Sequence, residues 1–318
     1  MKIVGVSLGT RNGSNDSMCK EALNAAKEMG AEVSFVHLLD WNIQDCTGCV
    51  ACSRGLVMGK GNICTRRDEF DDFRSVLLDA DGVLWVDPIF EKGGSGLHHT
   101  IMDRFGPRFD RGMNIVAQKI SEEHGGKPVD PRLLKDKVIS FIGIGGSDWA
   151  TAIEYDHSML ALSPAWKIID NEKFAWSKNI IMEDEKVERV REIGRNLAKA
   201  AADIENAQYM GKPGVCPHCH SKNFYLDPES THAICMTCGI EGDLTVEDGK
   251  IKFVFPEEQL AHAHDTLSGK FIHADDIKEN EGKAIANRSS DKFKESQVRV
   301  SSFDIPEILP PAKRECVK

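Results

Sequence analysis

Several things are missing from this sequence, and each absence removes a class of function. No window approaches the apolar length of a membrane span, which argues against a helical membrane protein. The N-terminus runs directly into a strand pattern without an export leader, so a cytoplasmic location is expected. Positive charge is in deficit: the formal net charge is −10, and a field of that sign opposes binding to nucleic acid or to an anionic membrane. No internal repeat or low-complexity tract is evident. The first loop carries neither Gly-x-Gly-x-x-Gly nor Gly-x-x-x-x-Gly-Lys-Ser/Thr, which argues against a dinucleotide fingerprint and a nucleotide triphosphatase loop.

What is present begins with Lys2 to Ser17, an apolar run that breaks into small and hydroxylated residues and then enters a helical pattern. Unpaired N–H groups at a helix start, with the positive end of the dipole, make an anion site. Ser7, Thr10, Ser14 and Ser17 can add hydroxyl donors, and Arg11 a fixed charge. With the two fingerprints set aside, a mononucleotide phosphate is the expected guest, and flavin mononucleotide (FMN) suits a sheet of this kind.

At 318 residues the chain accommodates a full α/β domain and an appended module. Helix is expected from Met18 to Met29, over Asp68 to Leu78, around Ala150 to Leu162 and from Asp184 to Ala207. Strands are expected at Ala31 to Leu38, Asp81 to Asp87, Lys137 to Ile144 and Trp166 to Asp170. Alternation of this kind implies a doubly wound parallel sheet. Residues 105 to 135 lack a clean period and read as an insertion. The expected division is a nucleotide-binding domain over 1–210, a four-cysteine module over 211–256, and a polar segment over 257–318. That last segment has one helix, Glu257 to Leu267, and an extended arm or tail through Ile305 to Pro311.

Three loops fall at carboxyl ends of strands, where open α/β sheets bind ligands. Besides Ser7 to Ser17 they are Pro88 to Gly96 and Gly143 to Trp149. Pro88, Ile89, Phe90, Gly93, Gly94 and Ser95 in one, and Gly145, Gly146 and Ser147 in the other, let backbone approach a flat ring, with Phe90 able to lie against it. Residues 3 to 104 resemble the NAD(P)H-dependent FMN reductase and iron-sulfur flavoprotein family through the first loop, Cys46-Thr-Gly-Cys49-Val-Ala-Cys52 with Cys64, and Asp103-Arg104; the match continues more faintly to about residue 206. The resemblance implies a flavodoxin-like fold and a homodimer or homotetramer. It implies FMN phosphate at Arg11, Ser14 and Asn15, and the ring at Pro88, Ile89, Phe90, Gly93 and Gly145 to Ser147. Asp16 departs from the family hydroxyl and would repel phosphate if it pointed inward; His98-His99 replaces the family's Leu-Lys.

Eight of the ten cysteines form two groups, while Cys19 and Cys316 read as reduced thiols. Without an export signal, metal or redox chemistry is favoured over disulfides. Cys46, Cys49 and Cys52, followed by Cys64 after eleven residues, can surround a [4Fe-4S] cube or act as thiols beside a redox site. Cys216, Cys219, Cys235 and Cys238 form two Cys-x-x-Cys knuckles, the pattern of a structural zinc ribbon, with rubredoxin-type iron as the alternative. His98 and His99 open the helix after the second loop, as proton donors or as residues with no chemical role.

These features support an FMN-dependent oxidoreductase that takes electrons from NAD(P)H or a protein donor and passes them to a small quinone or aromatic acceptor. One alternative is an iron-sulfur electron carrier with a ferredoxin-like partner. Another is a redox sensor whose ribbon binds a further macromolecule.

Overall fold

A computed structural model describes residues 1–308 and 310 of the chain. Cys316 and the end of the stretch reaching Pro311 lie outside the described residues. The chain divides into two compact units, Met1–His273 and Ala274–Lys318. No helix among the described residues is long and apolar enough to cross a membrane.

The first unit is built on five parallel strands: β1 (Lys2–Ser7), β2 (Glu32–His37), β3 (Gly82–Pro88), β4 (Val138–Ile144) and β5 (Lys167–Phe174). Their order is β2-β1-β3-β4-β5, the flavodoxin-like arrangement, whose strand order reverses direction between β1 and β3. β4 is buried at every position because helices cover both faces of the sheet. Period-two alternation sends Leu84 and Val86 to one layer and Val83 and Trp85 to the other.

On the first face pack α1 (Ser14–Glu28) and α7 (Asp184–Ala202), through Met18, Ala22, Ile193 and Leu197. Their approach needs Gly194, since a Cβ there would stand 2.0 Å from the Ala22 carbonyl oxygen. The other face holds α3 (Phe70–Asp79), α4 (Gly96–Phe109) and α6 (Ile153–Leu162), with the short α2 (Ala51–Val57) and α5 (Arg111–His124) beyond. Phe105 stacks on Phe109 with ring centres 4.0 Å apart, and truncating either to alanine would cost about 3–5 kcal/mol.

Residues 105 to 135 are not the irregular insertion that the pattern suggested. Gly106 breaks the helical path and Pro107 follows it, which hides the period. Asp110 then caps α5 by accepting from the Met113 N–H at 2.8 Å.

A second sheet of the same unit is antiparallel, in the order β6 (Phe224–Leu226), β7 (His232–Cys235), β8 (Glu241–Glu247) and β9 (Lys250–Val254). Its core is small: Ile240 and Phe253 are its large buried apolar side chains, beside three buried cysteines. Where one helix and an extended arm were expected after residue 256, a short turn at Glu257–His262 leads to α8 (Leu267–Ser289) and α9 (Asp291–Ser301). α9 buries no residue, which is why no core periodicity announced it.

Candidate functional site

The three glycine-rich loops converge at the carboxyl edge of the five-stranded sheet around a cleft of about 530 Å³. Thr10, Ser14 and Asn15 line it from the first loop, Pro88, Phe90 and Ser95 from the second, Gly145 and Gly146 from the third. Leu39, Ser177 and Lys178 also line it, from the loops after β2 and β5 that the sequence reading had not singled out.

The first loop divides its polar groups between structure and cleft. The Gly13 N–H donates to Thr10 O at 2.9 Å, and α1 starts at Ser14 with its first N–H groups toward the cleft end. Ser17 is turned away, its hydroxyl donating to Gly13 O at 3.0 Å. Ser7 is buried and donates to Asp16 at 2.6 Å. Asp16 therefore does not point inward: it is buried behind the loop, where it also accepts the Asn12 N–H at 2.7 Å and faces His37 Nδ1 at 3.0 Å. Arg11 is exposed and paired with Asp40.

The residues fit an FMN-sized guest on two observations. The cleft's volume of about 530 Å³ suits it, and Asn15, which lines the cleft, has its Oδ1 buried without a hydrogen-bond partner.

The second loop is held from beneath by two carboxylates. Asp87 accepts the Ser95 N–H at 3.1 Å and Asp156 the Gly94 N–H at 2.7 Å, while Phe90 and Gly93 exchange bonds across the turn. Glu91 and Lys92 both have positive φ, 45° and 76°. Ile89 donates its N–H to Ile144 O at 2.9 Å, and Phe90 is left 60% exposed.

His98 is wholly enclosed, so a role as proton donor to a substrate does not suit it. Its Nδ1 accepts the Trp85 indole N–H at 3.1 Å, which fixes the neutral tautomer whose Nε2–H donates to Asp156 O at 3.2 Å. Burial and the neighbouring His157 push it down to about 3. His99 is half exposed, with Nε2 3.7 Å from Asp156 Oδ2. In the third loop Gly145 donates to Phe174 O at 2.9 Å, and Ser147 Oγ accepts the Trp149 N–H at 3.3 Å.

Cys46, Cys49, Cys52 and Cys64 line a separate pocket of about 60 Å³ with Arg104 and Arg108. Arg104 Nη2 lies 3.7 Å from Cys64 Sγ, and Arg108 is buried with Nε and Nη1 unpartnered. Bonds with the Thr65 hydroxyl and the Ala51 N–H lower the Cys49 thiol to about 7.

The second cysteine group is tighter. The sulfurs of Cys216, Cys219, Cys235 and Cys238 all lie within 4.8 Å of one another, and among the described residues this is the group of cysteine, histidine and acidic side chains that closes to metal-site dimensions. A tetrahedral ion with metal–sulfur bonds near 2.3 Å places its sulfurs about 3.8 Å apart. Cys216–Cys238 at 3.9 Å and Cys219–Cys235 at 3.5 Å match.

With the geometry established, likeness to known proteins is informative. Residues 1–179 match the family model for NADPH-dependent FMN reductase. A solved flavone reductase is 55% identical, covering 98% of this chain and all of its own, with a TM-score of 0.88. Flavone synthase cfoJ of Aspergillus candidus is 28% identical over 300 residues, 88% of this chain and 89% of that protein. Iron-sulfur flavoprotein MJ1083 of Methanocaldococcus jannaschii is 33% identical over 108 residues, 34% of this chain and 53% of that protein. The chain belongs to the NADPH-dependent FMN reductase family and is an FMN-dependent oxidoreductase.

Proposed function

We propose that the protein reduces a planar aromatic acceptor of the flavone class, an aryl-substituted conjugated ketone, with NAD(P)H as reductant. The observation that carries this reading is the 55% identity, over almost the whole chain, to a flavone reductase. The cleft supports it: Leu39, Pro88, Phe90 and Leu97 offer apolar surface suited to flat rings. FMN, when bound, supplies two-electron transfer between the nicotinamide and the conjugated double bond of the acceptor, which gains a hydride and a proton.

The protein's part is placement. The start of α1, with Ser14 and Asn15, would hold the phosphate through N–H groups and the helix dipole. Pro88, Ile89, Phe90, Gly145 and Gly146 would flank the ring, on a loop made rigid by Asp87 and Asp156. His99, more open than His98, is the candidate to hand on a proton. The ribbon cysteines would hold zinc in a closed shell that leaves no place for a substrate.

Two experiments test this. Anaerobic incubation of the FMN-loaded protein with NAD(P)H and a flavone should give a product two hydrogens heavier; nucleotide oxidation with a quinone and none with a flavone would overturn the acceptor class. Ser14→Asp places an acid in the first turn of α1, where it favours the helix dipole but repels phosphate. The variant should fold, keep riboflavin and lose FMN.

A second reading rests on the cysteine pocket. Its four thiols stand beside the buried cations Arg104 and Arg108, which suits an anionic [4Fe-4S] cluster exchanging electrons with a ferredoxin-like partner. Iron and sulfide analysis of anaerobically purified protein decides between the two.

A further inference from the structure

Among the described residues that line the cleft, Lys178 is the one charged side chain; it is exposed, and two contacts place its backbone and stem. Its main-chain carbonyl accepts the Ser14 hydroxyl at 2.8 Å, which ties the loop after β5 to the start of α1. Its side-chain stem lies across Gly146, where a Cβ would come within 2.7 Å of Lys178 Cε. The ammonium has no ion-pair or hydrogen-bond partner among the described residues. Other charges of the first loop are already committed: Arg11 pairs with Asp40, and Asp16 is buried behind the loop against Ser7, Asn12 and His37. An unpaired cation in a largely apolar cleft is suited to an anion, and the Gly146 contact sets this one against the third loop.

We propose that Lys178 stabilises the negative charge that the flavin ring acquires on reduction. The proposal rests on the reading that this cleft holds FMN. A hydride from the nicotinamide brings two electrons and one proton to a neutral ring, which becomes a monoanion without any further proton. An ammonium carried on that stem favours the anion and gives the neutral oxidised ring little. Lys178 thus serves the proposed reaction by making the bound cofactor easier to reduce.

The test uses the full-length, FMN-loaded protein. Lys178→Met keeps the stem over Gly146 and the main-chain carbonyl to Ser14 while removing the charge; Lys178→Arg keeps the charge. Lys178→Met should weaken reduced FMN about tenfold more than oxidised FMN, a midpoint potential lower by about 30 mV for a two-electron couple. Its preference for FMN over riboflavin should be unchanged, and Lys178→Arg should stay near the wild-type potential. An unchanged potential in Lys178→Met overturns the proposal. So does an equal loss for both redox forms, or loss of oxidised FMN altogether, with the preference over riboflavin gone; either would place Lys178 on the phosphate. The Ser14→Asp variant separates the two levels. If it retained FMN, the cleft itself would be misassigned and this proposal would fall with it. If it lost FMN while Lys178→Met kept the wild-type potential, the role of Lys178 alone would fail.

Discussion

The Ser7 hydroxyl donates to Asp16 at 2.6 Å, and this pair decides how the first loop presents its charge. Burial raises the Asp16 carboxyl, but bonds from Ser7, the Asn12 N–H and His37 outweigh it and hold the group below its ordinary value. A folded value below the unfolded one means that this stability is present above the unfolded pKa and is lost as pH falls through the folded one. Asp16→Ala should cost about 2–4 kcal/mol near neutral pH, since it leaves several buried groups unpaired. A urea midpoint lowered at unchanged m would register that loss.

Arg11 was one of three expected phosphate ligands, with Ser14 and Asn15, yet its guanidinium is exposed and paired with Asp40. An exposed ion pair contributes roughly 0–1 kcal/mol. Arg11→Ala should therefore change FMN affinity far less than Ser14→Asp does, and stability hardly at all. Fluorescence titration with FMN compares the two; a large loss in Arg11→Ala would return the phosphate to that side chain.

Asp87 carries a pH dependence of the opposite sign to that of Asp16. Burial, against bonds from Ser95, pushes it from 3.8 up to about 7; the Asp156 charge adds to the rise, and His98 and His157 face it at 3.7 and 3.9 Å. The native state binds this proton more tightly than the unfolded chain, so the contribution of Asp87 falls as pH rises from about 4 to about 7. Asp87→Asn retains an acceptor for the Ser95 N–H and cannot ionise. The stability of wild type relative to Asp87→Asn should fall across that window, by at most about 4 kcal/mol. Denaturant curves at several pH values would show a constant difference if Asp87 were ionised throughout.

The sheet was legible because β1, β3 and β4 are unbroken apolar runs ending in glycine- or proline-bearing loops, which also revealed three walls of the cleft. Lys178 was hidden by β5. Its apolar pattern stops at Asp170, although the strand continues to Phe174. The polar residues between are satisfied by side chains that a linear reading does not bring together: Asp170 by Arg189 and Asn196, and Asn171 by His157. With the strand ended four residues early, the loop bearing Lys178 was not counted at the carboxyl edge. The turn of Asp16 away from the cleft was equally hidden, because its partner His37 lies on a neighbouring strand.

The four-cysteine module offers the sharpest separation between stability and chemistry. Its core contains two large buried apolar side chains, Ile240 and Phe253, too few to order four strands unaided. Structural zinc in zinc-finger peptides contributes roughly 10–16 kcal/mol, so here the ion would be most of the fold. The module also leans on the parallel-sheet region: Lys222 bonds Glu154 at 2.6 Å, and His220 stacks on Tyr209 with ring centres 4.4 Å apart. Cys235→Ser removes one fully buried ligand. The variant should lose its metal, and amide exchange should rise through β6 to β9 while β1, β3 and β4 stay protected. FMN should remain bound, because none of the residues lining its cleft comes from the module. Metal analysis of the same samples identifies the ion: if Cys235→Ser lost iron and left zinc in place, the module would be a rubredoxin-like relay, and zinc would have to reside at Cys46 to Cys64.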